Sequence, residues 1–305
     1  MTFVRRAVRA VVRVEPFGTL ARGLASRIRR DGLLAEDVLP YGVHAFDRAT
    51  WVIKETPFRT RVWCSLDERA ISRPILLDIY ERAESLFIEA TVRPGDYVVD
   101  AGANIGFHAV HLARLVGECG HIDAFEPLGY LADALDASLW ENGFTDRVTV
   151  HRAGLDTNAG SLRLRHAPRT ANFGGAHFAS TNAPPPGHTD EVVPTVALDT
   201  IVGKQHCSFL KIDVEGAEPR VMRGAEVTLA ACRPIVLSEL HDAQLRVVSG
   251  CSATDYLAQM AARGYRCSHL RDDGTRGARF ERFDDVAPVN VIFDPQERGG
   301  TLQSW

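Results

Sequence analysis

The sequence predicts an α/β fold: a doubly wound, mostly parallel sheet behind an N-terminal helix and hairpin extension. Three observations carry this. Short apolar, β-branched runs alternate with stretches of helical apolar spacing between residues 74 and 293. One of those runs, Tyr97-Val98-Val99-Asp100, leads directly through Gly102 and Gly106 into a helical pattern. At 305 residues and 45% hydrophobic content, the chain can bury the core of a domain of about 200 residues plus appendages.

In chain order, residues 1–30 hold eight arginines and one acid, with Val4, Val8, Val11 and Val12 at the spacing of one helical face. That suits a terminal arm that packs on the body or on a second copy, making a homodimer. A membrane-surface helix is the alternative. No long apolar stretch follows, so it is not read as a signal peptide. Residues 51–53 and 61–64 read as a hairpin around Pro57, and Ile75, Ile79, Ala83, Leu86, Phe87 and Ala90 as one helix over 74–91. After the strand at 97 come a helix over 105–116 with Asn104 as N-cap, a strand at 121–125, a helix over 128–141 and a strand at 147–152. Residues 162–165 alternate as an extra strand. The stretch 166–195, rich in Pro, Gly, Ala, Asn and Thr, reads as a lid-like insertion with an exposed tip at Pro184 to Gly187. Strands at 207–213, 234–240, 265–270 and 289–293 and helices from 217 and over 253–263 complete the pattern. The division expected is an N-terminal extension, 1–73, and a main domain, 74–305.

A net charge of −4 and pI near 6.3 give no general attraction to nucleic acid. Six scattered cysteines form no CxxC pair, so neither a zinc site nor a disulfide framework is signalled, and a reducing, cytoplasmic setting is expected. No apolar run approaches the roughly 18 residues of a membrane span.

A strand running into a helix N-terminus is a site for a nucleotide-like ligand. A dinucleotide would want a second glycine where Asn104 stands, because its pyrophosphate lies against the backbone. Glu126 ends the next strand and can accept both hydroxyls of a ribose. Asp100, the turn Gly102-Ala103-Asn104-Ile105-Gly106 with Phe107 after it, and Glu126-Pro127 therefore suit an adenosine with a zwitterionic amino-acid tail. That is S-adenosylmethionine. A nicotinamide-dependent oxidoreductase and a non-catalytic adenosyl-binding or assembly protein are the alternatives.

Asp100-Ala-Gly-Ala-Asn-Ile-Gly106, Phe125-Glu126-Pro127 and Phe209-Leu-Lys-Ile-Asp213-Val-Glu215-Gly216-Ala-Glu218 resemble the FkbM family of S-adenosylmethionine-dependent methyltransferases over about 75–293. The resemblance implies a seven-stranded class I methyltransferase (Rossmann-like) sheet. It also implies O-methylation of a small natural product, sugar or lipid-linked glycan. Tyr80-Glu81 and Asn172-Phe-Gly174-Gly175 resemble family positions too, and Tyr80, Asn172, Gly174 and Gly175 are the substrate-contact candidates.

Asp213 with Glu215, and Glu239 with His241, are i, i+2 pairs at the ends of strands that neighbour each other in such a sheet. They are the catalytic candidates, with Asp213 also facing the cofactor. Methyl transfer needs an aligned nucleophile whose proton can leave, and a carboxylate or imidazole can accept it. Asp213, Glu215 and Glu239 could instead hold Mg, the secondary reading. His108 and His111 read as surface or packing residues.

Overall fold

The computed structural model describes residues 50–167, 172–179, 183–203, 205–283 and 287–296. The N-terminal arm expected over 1–30, and dimerisation through it, lie outside the described residues. Strands β1 (Trp51–Glu55) and β2 (Arg61–Ser65) are followed by helices α1 (Ser72–Leu76) and α2 (Arg82–Thr91). Then come β3 (Tyr97–Ala101), α3 (Phe107–Val116), β4 (His121–Phe125), α4 (Gly129–Asn142) and β5 (Val148–His151). Next are β6 (Gly154–Leu155), β7 (Gly160–His166), β8 (His177–Phe178), β9 (Thr189–Val196) and α5 (Leu198–Ile201). The remainder runs β10 (Phe209–Ile212), α6 (Glu218–Arg223), α7 (Glu226–Cys232), β11 (Ile235–Leu240), α8 (Asp242–Ser249) and α9 (Ala253–Ala262). It closes with β12 (Tyr265–Leu270), β13 (Arg276–Arg279) and β14 (Val289–Pro295).

The main sheet has the order β13-β12-β14-β11-β10-β3-β4-β5. Strands β5, β4, β3, β10 and β11 are parallel, and β14 runs antiparallel between β11 and β12. This is the class I methyltransferase arrangement with one strand more than the seven expected. The extra strand, β13, pairs antiparallel with β12 at the sheet edge. Arg276-Gly-Ala-Arg279 has no apolar alternation, so sequence pattern gives no sign of it.

Period-two alternation builds two core layers. Val98, Ile122, Phe209, Leu237 and Ile292 face one side, and Val99, Phe125, Leu210, Val236 and Phe293 the other. Each fully buried side chain of this kind contributes about 1.5–3 kcal/mol. The hairpin docks on α4: the Trp63 N–H donates to Ser138 Oγ at 3.0 Å and that of Arg61 to Asn142 Oδ1 at 2.9 Å. Among the described residues, no helix is long and apolar enough to cross a membrane.

Four local expectations need correction. The helix expected over 74–91 breaks between α1 and α2. Asp78 and Glu81 take left-handed φ of 60° and 38°, and Ile79, counted on the apolar face, is exposed. Asn104 is not the N-cap of α3. Its own φ is 50°, and Gly106 (φ 93°) caps the helix. The stretch 166–195 carries regular structure that its composition does not signal, because β8 and β9 pair with β7 in a second sheet of order β6-β9-β7-β8. Finally, β10 ends at Ile212, so Asp213-Val214-Glu215 lies on a turn, not on a strand; Glu215 has φ 55°.

Candidate active site

The chain fills strands outward from β3 to β5, then returns to place β10 on the other side of β3. Ligands bind outside the carboxyl ends of the strands at such a switch point. A cavity of about 210 Å³ lies there, walled by the ends of β3, β4, β10 and β11.

Glycine is required where β3 gives way to the loop. A Cβ on Gly102 (φ 84°) would stand 1.9 Å from the Asp213 carbonyl oxygen. Beyond it, the Asn104 N–H donates to Glu126 Oε2 at 3.0 Å, and the Leu128 N–H donates to Glu126 Oε1 at 2.8 Å. Glu126 thus fastens both loops and keeps lone pairs facing the cavity. Burial pushes its carboxyl up to about 7, against the opposing effect of those two N–H groups. Asp100 is 0% exposed, and neither of its oxygens has a hydrogen-bond partner among the described residues. Burial raises its pKa, against the nearby Lys211 and His108.

The far end of the cavity is acidic. Lys211 Nζ sits 3.3 Å from Asp213 Oδ2. Gln244 Nε2 donates to Glu215, and Glu218 Oε1 accepts the N–H groups of Val214 and Gly216. Burial, with repulsion from Asp213 and then Glu239, pushes Glu215 up to about 9. Burial and Asp213 push Glu239 up to about 8. The broken helix supplies the remaining wall. Tyr80 packs edge-on to Phe107 with ring centres 5.2 Å apart, and Glu81 reaches His108 Nε2 at 2.5 Å. Burial alone would raise Glu81, but Lys211 and His108 outweigh it and hold the carboxyl at about 2.

Of the residues singled out in the sequence, Asp100, Gly102, Asn104, Phe107, Glu126, Pro127, Asp213, Glu215, Glu239, Tyr80 and Gly174 line the cavity. Gly106 does not. A Cβ there would meet Leu135 at 2.6 Å, so it serves helix packing. His241 also lies off the cavity, as the residue preceding α8. Asn172 and Gly175 stand behind the wall: Asn172 Oδ1 accepts the N–H groups of Gly174 and Gly175, and its neighbour Phe173 accepts from Asn104 Nδ2 at 3.0 Å. His108 and His111 are both buried, and His108 lines the cavity. Lys211 carries a sequence signal of its own: it is a lysine in the middle of an otherwise apolar strand.

The profile of the methyltransferase FkbM domain matches residues 100–267, more than half of the chain. This protein belongs to the FkbM methyltransferase family. That family is one of methyltransferases, and the nicotinamide reading falls away. Methyltransferase sdnD of Sordaria araneosa is 28% identical over 166 residues, which cover 45% of this chain and 63% of that protein. The match thus spans under two thirds of that relative's length. Among solved structures, methyltransferase FkbM from Methylobacillus flagellatus KT is 18% identical with a TM-score of 0.42, over 69% of this chain and 50% of that one. A TehB-like SAM-dependent methyltransferase from Corynebacterium glutamicum is 11% identical with a TM-score of 0.41, over 73% and 92%. Scores this low add nothing to the fold, which the strand order of this FkbM methyltransferase establishes by itself.

Among the described residues, no group of three or more His, Cys, Asp or Glu is arranged to hold a metal ion. For the Mg reading at Asp213, Glu215 and Glu239, the positive charge beside Asp213 is already that of the Lys211 ammonium.

Proposed function

We propose that the protein is an S-adenosylmethionine-dependent O-methyltransferase acting on a hydroxyl of a small natural product or sugar-containing metabolite. The observation that carries cofactor binding is Asp100, a fully buried carboxylate with both oxygens unpartnered, on the wall of a cavity that Glu126 also lines. A buried carboxyl group without hydrogen-bond partners is costly, and an ammonium donating hydrogen bonds to it would lower that cost. Asp100 suits the cofactor's amino group, Glu126 its ribose hydroxyls, and Phe125 and Pro127 its apolar surfaces. The bound cofactor supplies an activated methyl group on a sulfonium, ready for in-line displacement.

Asp213, Glu215 and Glu239 then orient the acceptor. Glu215 and Glu239 hold protons near neutral pH and donate hydrogen bonds, while Asp213, beside Lys211, accepts them. Tyr80 and Gly174 bound the acceptor from the side. Ile71, Phe173 and Phe178 add an apolar stretch of wall, which suits an acceptor with one polar end. His241, away from the cavity, has no part in this reading.

Binding of S-adenosylhomocysteine, measured by calorimetry, tests it. The wild type is expected to bind and Glu126→Gln to lose at least tenfold in affinity. No binding by the wild type would overturn the cofactor assignment.

A further inference from the structure

We infer that His108 accepts the acceptor's hydroxyl proton at Nδ1, with Glu81 as its positioning residue. This rests on the methyl-transfer reading and adds to it a proton acceptor outside the family-type acidic motif. His108 is 5% exposed and lines the cavity, and its Nε2 lies 2.5 Å from a Glu81 oxygen. With Glu81 ionised, that contact is an Nε2–H donated to a carboxylate, which leaves the lone pair on Nδ1. Nδ1 is buried and has no partner among the described residues. A base held by a third group, with its other nitrogen unpartnered, is the arrangement that activates a nucleophile in many unrelated enzymes.

The backbone at Glu81 supports a dedicated role. A non-glycine residue at φ 38° is strained, and such strain persists where the surroundings hold it for a purpose. Here it breaks a helix whose apolar spacing would otherwise continue, and the break turns Tyr80 and Glu81 onto the cavity wall beside α3. The carboxylates nearby suit the task less well. Asp213 shares its charge with Lys211, and Glu215 and Glu239 carry protons near neutral pH.

The step balances with the methyl donor bound. The acceptor's O–H bond would break as its oxygen bonds to the methyl carbon, the methyl–sulfur bond would break with its electron pair going to sulfur so that S-adenosylhomocysteine leaves as a neutral thioether, and the proton would move to Nδ1. The resulting imidazolium lies against the Glu81 carboxylate, and its proton leaves to solvent with the product. The other titratable groups around His108 are Tyr80 from the helix break, Glu84 from α2, Asp100 from β3, Lys211 from β10 and His111 from α3 itself.

Two measurements test the pair. Long-range proton–nitrogen NMR of histidine-labelled protein at pH 7 should show His108 as the Nε2–H tautomer in the wild type and lose that preference in Glu81→Gln. An Nδ1–H tautomer in the wild type would overturn the assignment. Transfer of label from S-adenosylmethionine into a metabolite extract of the source cells should fall about 10²-fold or more in His108→Gln, with S-adenosylhomocysteine affinity kept within about threefold. Undiminished transfer by His108→Gln overturns the His108 role alone. Absence of transfer by the wild type overturns the methyl-transfer reading and this inference with it.

Discussion

Lys211 and Asp100 occupy the same rung of the parallel pairing between β10 and β3, so an ammonium and a carboxylate face the cavity side by side. Glu81 and Asp213 add two more carboxylates around the same lysine. One cation therefore offsets several buried anions at the switch point of the sheet.

Removing it should be costly. Lys211→Met leaves these carboxylates uncompensated, and breaking a buried pair from one side costs about 3–5 kcal/mol. Glu81, whose carboxyl Lys211 helps hold at about 2, is charged at neutral pH and bears that loss. Urea denaturation of both proteins at pH 7 checks this.

Glu215 and Glu239 make a second pH-dependent contribution. Their folded-state pKa values, pushed up to about 9 and about 8, lie above the ordinary carboxylate range. Between that range and about pH 9 the folded chain keeps protons that the unfolded chain has released, so stability falls as pH rises. Glu215→Gln should flatten the decline. An unfolding midpoint that rises from pH 6 to pH 9 in the ligand-free wild type, or an unchanged slope in the variant, would contradict it.

The two glycines Gly102 and Gly117 separate backbone strain from close approach. Both have positive φ, but a Cβ on Gly117 meets nothing within 4 Å, while one on Gly102 collides with the Asp213 carbonyl. Gly117→Ala should cost about 1–3 kcal/mol, the strain alone, because its ψ of −165° lies in a region essentially reserved to glycine. Gly102→Ala should add about 1–3 kcal/mol of overpacking by forcing β3 and β10 apart. Equal losses in the two variants would show that the approach of the strands is looser than described.

Asn104 carries a different prediction. Its Nδ2 holds the Phe173 carbonyl, and through it the wall formed by residues 172–176. Asn104→Gly keeps the left-handed backbone but cuts that tie. Hydrogen exchange at 173–176 should speed up by about an order of magnitude, the equivalent of one lost hydrogen bond of about 1 kcal/mol, while the variant gains no affinity for NADH.

The parallel strands were legible because each is a short apolar run ended by a turn residue, and one wall of the cavity was legible because Asp100, Gly102 and Glu126 recur at strand ends. The rest was hidden for physical reasons. The periodicity from Ile75 to Ala90 continues across a break at which Glu81 reaches His108, a tertiary contact that periodicity does not show. β9, eight residues long, hid in a stretch whose composition signals loop, because its partner β7 lies about 30 residues earlier. The i, i+2 rule brought Asp213 and Glu215 to the cavity for a reason that does not hold: β10 has already ended, and the turn places them. For Glu239 the same rule works on a true strand, and it fails one step later at His241, where the chain enters α8.

The most direct test of the central claim is a single incubation. The protein is mixed with S-adenosylmethionine labelled in its methyl group and a metabolite extract from its source, and the labelled product is identified by mass spectrometry and NMR. The expected result is one product heavier by a methylene, with the label in an O-methyl ether. Label on nitrogen would contradict O-methylation, and no labelled product from a protein that binds S-adenosylhomocysteine would contradict catalysis itself.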